Sequence, residues 1–375
     1  MGISIDSLQN DTGLSASDFI TNDKQVVVNG SLSAQLGNNE KAQISLDGGS
    51  TWIDLTVTGT TWRYTDGRTL TDGTYPYQVR VIDNAGNVGA TDSQDVVIDL
   101  TKPAATSITV DTVSQDTGLS DSDFITSDNQ ISLKGTLGAA LGSGDHAQIS
   151  LDGGATWTDV SVSGLSWTYV DGRTLADGDY NYQLRVIDDA GNISATTSQV
   201  VTIDTVAPDA SKTIAIDSIS DDTGLSSSDF ITNDTSLTLH GSLGATLADG
   251  EYAQISIDGG VTWQNVNVTG NSWYYVDGRT LGNGTYDYYV RVIDIAGNIG
   301  GSAYQKVTVD LVAPDSAITV SIDSISTDTG YSDSDFLTND TSLTINGSIG
   351  APLSSGEYVQ ISVDKIGRAS CRERV

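Results

Sequence analysis

Aspartate is the residue type most able to carry chemistry in this sequence, because it recurs at fixed positions. Four segments begin with Asp-Thr-Gly, and each continues with aspartates at matching distances. Carboxylates gathered in one loop repel one another unless a cation or hydrogen bonds offset their charge. Oxygen ligands without histidine or cysteine favour Ca²⁺ over a transition metal. The aspartates concerned are Asp11, Asp18 and Asp23, then Asp116, Asp123 and Asp128, and then Asp222, Asp229 and Asp234.

Other reactive constellations do not recur in the sequence. The two histidines, His146 and His240, occupy non-equivalent positions, and no Ser-His-Asp or Cys-His set is repeated. The net charge of −32 argues against a nucleic-acid surface, since phosphates would be repelled. No apolar run reaches the length of a membrane span. We therefore predict no catalytic site, no nucleic-acid partner and no membrane span in this segment.

An internal repeat determines the domain organisation. The Asp-Thr-Gly segments are spaced by 105, 106 and 106 residues. A period of that length is too long for a solenoid repeat of about 20–50 residues but suits a β-sandwich of about 100 residues. We predict module 1 at 1–102, module 2 at 103–207, module 3 at 208–313 and a truncated module 4 at 314–364.

The pattern within each module is that of strands and turns. Ala42, Ile44 and Leu46 alternate with Gln43 and Ser45, which is typical of a half-buried strand. Asp-Gly and Asn-Ala-Gly-Asn segments supply turns between such runs. With about seven strands per module, the sequence predicts an all-β fold of tandem immunoglobulin-like β-sandwich domains. Short linkers with a proline predict close coupling of the modules in an elongated array that forms a monomeric rod.

The joints between modules are the predicted metal sites. The first loop of a sandwich faces its C-terminal pole, whereas the late hairpin faces the N-terminal pole, so a joint would gather aspartates from two modules. Structural Ca²⁺ bound there would make the joint rigid. The alternative is that these aspartates cap turns and stay hydrated. The further candidate ligands are Asp99, Asp204 and Asp310 at module ends, Asp111, Asp217 and Asp323 in early strands, and Asp188, Asn192, Asp294 and Asn298 in late hairpins.

The aromatic residues also follow the repeat. We interpret both tryptophans of each complete module, such as Trp52 and Trp62, as core residues, with a glycan-binding platform as the alternative. The segment from Ser45 to Trp52 resembles the Asp-box of sialidases, and we interpret it as a β-turn in which Asp47 bonds the turn backbone. Tyr75 follows a glycine turn, which predicts a tyrosine-corner contact in each module.

The end of the sequence departs from the repeat. After Asp364 the expected Gly-Gly-x-Thr-Trp is replaced by a basic stretch that contains Cys371, the sole cysteine. We interpret residues 365–375 as a non-native tail, translated from sequencing-adapter read-through, and exclude it from fold reasoning. Module 4 would then lack its later strands.

The whole motif set resembles a known repeat class. Asp-Thr-Gly-x-Ser-x-Ser-Asp-x-Ile/Leu-Thr-x-Asp, with Val-Ile-Asp-x-Ala-Gly-Asn and the proline linker, resembles the bacterial Ig-like (BIg) repeats of giant Gram-negative adhesins of the biofilm-associated and RTX type. The resemblance extends from Ile3 to Asp364. It implies type I secretion, a place at the cell surface, and repeat arrays stiffened by Ca²⁺.

These observations together predict a structural extender, or stalk, of a cell-surface adhesin that acts in cell adhesion or biofilm formation. A host or bacterial surface ligand would be bound by regions outside this sequence. Two alternatives stay open. The modules could themselves bind glycan or host protein, using weak contacts many times over, or they could be accessory domains of a secreted enzyme.

Overall fold

The computed structural model describes residues 2–363, and within them the backbone forms strands, turns and loops without a helix. The predicted all-β class is therefore confirmed. No helix in this range is long and apolar enough to cross a membrane. The tail that we assigned to read-through, at 365–375, lies outside the described residues.

Module 1 is a sandwich of two sheets. One sheet has the strand order β1-β3-β7-β6 and the other β2-β9-β8-β4-β5. All pairings are antiparallel except that of β2 with β9. The strands are β1 (Ile3–Leu8), β2 (Ile20–Thr21), β3 (Val27–Leu32), β4 (Glu40–Ser45), β5 (Ile53–Asp54), β6 (Val57–Thr58), β7 (Thr61–Thr65), β8 (Gly73–Asp83) and β9 (Val88–Ile98).

Modules 2 and 3 repeat this topology strand for strand. Module 2 has β10 (Thr112–Val113), β11 (Ile125–Thr126), β12 (Ser132–Thr136), β13 (Asp145–Ser150), β14 (Thr158–Asp159), β15 (Ser161–Ser163), β16 (Ser166–Val170), β17 (Gly178–Asp188) and β18 (Ile193–Ile203). Module 3 has β19 (Ile214–Ile219), β20 (Ile231–Thr232), β21 (Thr238–Leu243), β22 (Glu251–Ser256), β23 (Gln264–Asn265), β24 (Asn267–Thr269), β25 (Ser272–Val276), β26 (Gly284–Asp294) and β27 (Ile299–Val309).

The described part of module 4 contains one antiparallel pair of strands, β28 (Val320–Ile325) and β29 (Ile345–Ile349). All of β29 and nearly all of β28 are exposed. Each complete module has nine strands instead of the seven or so predicted. The additional strands are pairings of two or three residues at the sheet edges, such as β5 on β4, which are too short to show a period in the sequence.

The core of each sandwich is built from the inward faces of the long strands. In β8 the alternation predicted from the sequence places Tyr77, Val79 and Val81 inside. Each complete module has its own separate apolar cluster, so that each buries a core of its own.

Only one of the two tryptophans in each module is a core residue. Trp62, Trp167 and Trp273 are at most 3% exposed and lie inside. Our assignment of Trp52 to the core was wrong. Its indole Nε1 donates to Gly49 O at 3.0 Å within the turn, and its ring packs under the Arg80 guanidinium, whose carbon lies 3.9 Å from the ring centroid. Trp157 and Trp263 repeat this arrangement on the outer face of their sheets.

The predicted turn contacts are confirmed. Asp47 Oδ1 accepts the Thr51 amide at 2.8 Å, and its Oδ2 accepts the Thr51 hydroxyl at 2.6 Å. These hydrogen bonds favour the charged carboxylate and lower the pKa of Asp47 to about 2. The hydroxyl of Tyr75 donates to Thr71 O at 3.0 Å, which is the contact of a tyrosine corner.

A buried polar cluster that the sequence analysis missed supports each core. Asp66 is 2% exposed and accepts the hydroxyl of Tyr77 at 2.6 Å. Arg68 donates to it through Nε and Nη2, at 3.0 and 2.7 Å to the nearer oxygens. Burial alone would raise the pKa of Asp66, but the hydrogen bonds from Arg68 and Tyr77 outweigh it and lower the pKa. Modules 2 and 3 repeat the cluster at Asp171, Arg173 and Tyr182 and at Asp277, Arg279 and Tyr288.

Candidate functional site: the joint between modules

The joint between modules 1 and 2 forms where the first loop of module 1 meets the hairpin between β17 and β18. The hydroxyl of Thr12 donates to Ala190 O at 2.8 Å, and the Leu14 amide donates to Asp189 O at 3.3 Å. The side-chain amide of Asn22 donates to Asn192 Oδ1 at 3.4 Å. The topological expectation that this loop meets this hairpin thus agrees with the contacts.

The joint between modules 2 and 3 is built in the same way. Thr117 donates its hydroxyl to Ala296 O, at the position of Thr12 and Ala190. The side-chain amide of Asn298 donates to Asp204 O at 2.8 Å, just as Asn192 donates to Asp99 O at 2.8 Å. Most of these acceptors are backbone carbonyls, and the donors are threonine and asparagine side chains that recur at both joints.

Glycines bring the two backbones together at each joint. A Cβ on Gly13 would lie 1.9 Å from Asp189 O, and one on Gly118 would lie 1.9 Å from Ile295 O. Both residues also have a positive φ, +103° and +101°. The equivalent Gly224 of module 3 has φ +100° but nothing within 4 Å of its Cβ position, because no complete hairpin follows it in the described residues.

Burial at the late hairpin distinguishes docked from undocked modules. Ala190 and Ala296 are 0% exposed, whereas their counterpart Ala85, in the hairpin of module 1, is exposed. Asp188 and Asp294 are buried in the same way. Since the three hairpins have nearly the same sequence, the difference in burial arises from the preceding module.

The predicted ligands fall into local groups. Asp188 accepts the amide and the side-chain nitrogen of Asn192 at 2.8 and 2.9 Å, and Asp294 holds Asn298 alike. The structure therefore brings together Asp188, Asn192 and the carbonyl of Asp99. Carboxylates that accept the amide two residues further on, as turn caps, are Asp18, Asp23, Asp99, Asp123, Asp128, Asp204, Asp229, Asp234 and Asp310.

The aspartates of the early strands lie elsewhere. Asp111 accepts the Thr109 hydroxyl at 2.7 Å, and Asp323 accepts the Ser321 hydroxyl at 2.6 Å. Asp217 is exposed, as are the other two. The partners of Asp111 and Asp323 lie two residues earlier in the chain, so these two hydrogen bonds do not cross a joint.

The first aspartate of each loop has an unusual environment. Asp11 Oδ2 accepts the Phe19 amide at 3.1 Å, while its Oδ1 is buried without a hydrogen-bond partner among residues 2–363. Burial raises the pKa of Asp11, the Phe19 amide opposes this, and the charge of Asp18 adds to the increase. The same orphan oxygen occurs at Asp116, Asp222 and Asp328.

A buried carboxylate oxygen without a donor has a chemistry that suits a hard cation. Asp11 and Asp18 of module 1, and Asp116 with Asp121 and Asp123 of module 2, influence one another electrostatically. Within residues 2–363, however, no three carboxylate, imidazole or thiol side chains are grouped closely enough to hold a metal. A Ca²⁺ ion there would therefore need backbone or amide oxygens besides the carboxylates.

Among the residues in direct contact across the joint, sequence reasoning named Asn192 but missed Thr12, Gly13, Asn22, Ala190 and Gly191. The sequence did contain an indication of these contacts, because Asp-Thr-Gly and Ala-Gly-Asn recur at the same positions of the repeat. We interpreted Ala-Gly-Asn as turn chemistry and the aspartate of Asp-Thr-Gly as a candidate Ca²⁺ ligand, and neither as a contact between backbones. A pair of glycine turns at opposite poles of a repeated domain indicates that the backbones meet.

A histidine lies beside the first joint. His146 Nδ1 lies 3.0 Å from Asp159 Oδ2, and its Nε2 lies 3.1 Å from an oxygen of Asp189. Burial lowers the pKa of His146, but the two carboxylates outweigh it and raise the pKa. The protonated ring thus ties β13 to the hairpin that docks on module 1.

We expect module 2 to be more stable at about pH 5.5 than at about pH 8. The folded-state pKa of His146 is raised, so its stabilisation is complete below the unfolded pKa of about 6.5 and is lost as pH rises through the folded value. The gain should be about 1 kcal/mol or less, as for partly exposed ion pairs. Thermal unfolding of the chain and of His146→Gln measures it. A pH dependence that persists in the variant would contradict this assignment.

Comparison with known proteins shows which domain family these modules match. Three stretches, residues 3–100, 103–205 and 210–311, match the bacterial Ig-like domain family. Exoglucanase B of Cellulomonas fimi is 27% identical over 314 residues, which cover 81% of this chain but only 26% of that protein. The chain thus spans about a quarter of that relative's length.

The solved structures that match this chain have low identity and low TM-scores. The fibronectin(III)-like modules of Clostridium thermocellum CbhA match with a TM-score of 0.36 and 12% identity, over 54% of this chain and 93% of theirs. The FN1-FN3 domains of chicken CNTN1 match with a TM-score of 0.30 and 14% identity, over 82% of this chain and 98% of theirs. With the family match covering most of the chain, the protein belongs to the bacterial Ig-like domain family and carries three tandem copies of that domain.

Proposed function

We propose that this segment is a structural extender in a cell-surface adhesin, which acts at a distance by holding other regions away from the cell. The observation that carries the proposal is the repetition of one docking geometry at both joints. Each joint buries the hairpin of the following module, so the modules do not hang on free linkers. Stacked modules of this kind add length through contacts between neighbours alone.

The extender role agrees with the high negative net charge of the chain. The net charge of −32 keeps such an array soluble and makes distant modules repel one another. Ig-like domains are generally non-catalytic, and we propose no catalytic role for this segment. An extracellular location, at the surface of a Gram-negative bacterium after type I secretion, completes the proposal and accords with the bacterial family.

We further propose that Ca²⁺ stiffens the joints. Asp11 and Asp116, each with an orphan buried oxygen, would be the central ligands, and the neighbouring Asp18 and Asp123 would contribute charge. The ion would offset the mutual repulsion of these carboxylates and tie the first loop in place beneath the docked hairpin. Ca²⁺ modules outside the cell bind at about 10⁻⁴–10⁻³ M, so the joints would stiffen on export.

The replacement of Asp11 and Asp116 by asparagine should abolish the stabilisation by calcium. In chelator the double variant should be as stable as the wild type or more so, because it buries no unpartnered charge. At about 10 mM calcium the wild type should gain about 1.5–3 kcal/mol per occupied site, the value for ligand at about 10 to 100 times its dissociation constant, and the variant should not. Thermal unfolding with and without calcium measures both, and X-ray scattering follows the stiffness.

The matched control is Asp95→Asn, which removes one charge from an exposed strand position away from the joints. It should keep the full response to calcium. If chelator leaves the melting curve and the scattering profile of the wild type unchanged, the aspartates act as turn caps and the calcium proposal fails. The extender role would then stand on the docked joints alone.

A second candidate is favoured by the similarity to exoglucanase B. The same array would then be the spacer between domains of a secreted polysaccharide-degrading enzyme. The two candidates share the spacer mechanism and differ in what the spacer carries. The coding sequence on either side separates them, since a catalytic domain there would favour the enzyme and an adhesive or retention domain the adhesin.

A further inference from the structure

The outer face of the five-stranded sheet differs between module 3 and the other modules. Tyr289 of β26 pairs with Tyr304 of β27, and the ring centroids are 5.0 Å apart with 42° between the planes. At the same paired positions the other modules have glutamine and serine, namely Gln78 with Ser93 and Gln183 with Ser198. The aromatic pair is therefore an individual feature of one module and not a need of the fold.

Polar groups hold this pair and surround it. The Tyr304 hydroxyl donates to Asp287 Oδ1 at 2.6 Å, and Tyr304 is still 48% exposed. Lys306 stands opposite Asp287 in the ladder. Arg291 is the next outward residue of β26 after Tyr289, and it is fixed by two hydrogen bonds to Gln254 Oε1, at 3.1 and 2.9 Å. Tyr304 is thus held by a hydrogen bond, Arg291 by two, and Tyr289 by its contact with the ring of Tyr304.

We propose that this surface, the tyrosine face made of Asp287, Tyr289, Arg291 and Tyr304, binds a neutral polysaccharide. A pyranose ring presents C–H bonds on its face and hydroxyls at its rim. The C–H face packs on the electron-rich face of an aromatic ring, and the hydroxyls reach charged and amide groups beside it. The tyrosine face offers both on the outer side of the sheet, which is open enough for an extended polymer. This binding goes beyond the extender role and does not depend on it.

The surroundings favour a neutral sugar polymer over other ligands. The chain carries a net charge of −32, which repels acidic polysaccharides and nucleic acids. A protein partner would need an apolar centre from which charged residues are depleted. Here Asp287, Lys306 and Arg291 stand directly beside the two rings. A ligand rich in hydroxyl groups is satisfied by that mixture, whereas an apolar protein surface is not.

Affinity electrophoresis of the whole chain tests the proposal. Native gels would contain hydroxyethyl cellulose, xylan or galactomannan, with alginate as the acidic comparison. We expect retardation by at least one neutral polymer. The double variant Tyr289→Gln with Tyr304→Ser, which installs the residues of modules 1 and 2, should bind about tenfold more weakly, as expected for the loss of one stacking contact.

Two further variants test whether binding depends on the tyrosine face in particular. Tyr274→Thr removes an exposed tyrosine from the other sheet, away from the tyrosine face, and should leave binding unchanged. The fold should tolerate it, because module 2 has Thr168 at the equivalent position. Asn181→Asp, Gln183→Tyr and Ser198→Tyr together should build a second tyrosine face on module 2 and strengthen retardation. No retardation of the wild type by a neutral polymer, or equal retardation of wild type and double variant, would overturn the proposal. In either case the tyrosine pair would be a cross-strand contact that only stabilises the sheet.

Discussion

Replacement of Asp277 by alanine should destabilise module 3 by about 2–4 kcal/mol, because it removes charge-assisted hydrogen bonds and leaves a buried hydroxyl without its acceptor. Asp277 is 3% exposed and accepts hydrogen bonds from the Arg279 side chain at 2.6 Å and from the Tyr288 hydroxyl at 2.6 Å. Without the carboxylate, the buried tyrosine hydroxyl loses its acceptor. The Arg279 side chain is 38% exposed, so its charge can return to water and the loss stays within this range.

Denaturant unfolding of the chain and two companion variants tests this expectation. Tyr288→Phe removes one hydrogen bond and leaves the ion pair, so it should cost about 1–1.5 kcal/mol. Arg279→Lys keeps the charge and loses the paired geometry, and should lie between the two. The pKa of Asp277 is lowered in the fold, so its stabilisation is present above the unfolded pKa of about 3.9 and is lost as pH falls through the folded value. An Asp277→Ala variant no less stable than Tyr288→Phe would contradict this account.

Features that depend on local sequence could be predicted. The inward side chains of β8 follow from strict alternation, and the bond from the Thr51 amide to Asp47 follows from the chemistry of an Asp-Gly-Gly turn. The tyrosine corner at Tyr75 likewise needs a partner only four residues away. In each case the interacting groups are neighbours in sequence, so the pattern contains both of them.

Features that depend on distant partners could not be predicted. Trp52 is held outside the core by Arg80, and Arg80 in turn by Gln43, which is 37 residues away. The Asp-Gly-Arg segment of Asp66 has the composition of an exposed turn. Within it only Asp66 is buried, and the hydroxyl of Tyr77 reaches its carboxylate across the sandwich. Periodicity gives the face of a strand, but it does not show which hydroxyl or guanidinium lies above that face.

The joint between modules could be predicted in part. Topology sufficed to predict that the first loop of one module faces the late hairpin of the next. The aspartates attracted attention because of their charge, yet the contacts across the joint come from Thr12, Gly13 and Asn22 and from backbone carbonyls. Carbonyl oxygens occur at every residue and therefore leave no trace in a sequence. The calcium ligands stay a prediction for the same reason, since part of any such site would be backbone.

Replacement of Gly118 by alanine should open the joint between modules 2 and 3. Gly118 has φ +101°, and a methyl group there would lie 1.9 Å from Ile295 O and 2.9 Å from its carbon. These are backbone atoms that cannot move aside without a shift of the whole hairpin. The positive φ should cost about 1–2 kcal/mol, and the overlap about 1–3 kcal/mol more unless the modules separate. Separation would expose Ala296, which is fully buried in the docked state.

Gly224→Ala is the matched control, because it separates the cost of the positive φ from the cost of the overlap with the hairpin. Gly224 occupies the same loop position with φ +100°, but nothing lies within 4 Å of its Cβ site. It should therefore show the cost of the positive φ in module 3 and leave both joints docked. Hydrogen exchange of the amides at 294–298 should rise strongly in Gly118→Ala and stay low in Gly224→Ala, and X-ray scattering should show a more flexible chain only for the former. Equal effects of the two variants would mean that the glycines serve their own loops, and the close approach of the backbones would not be what couples one module to the next.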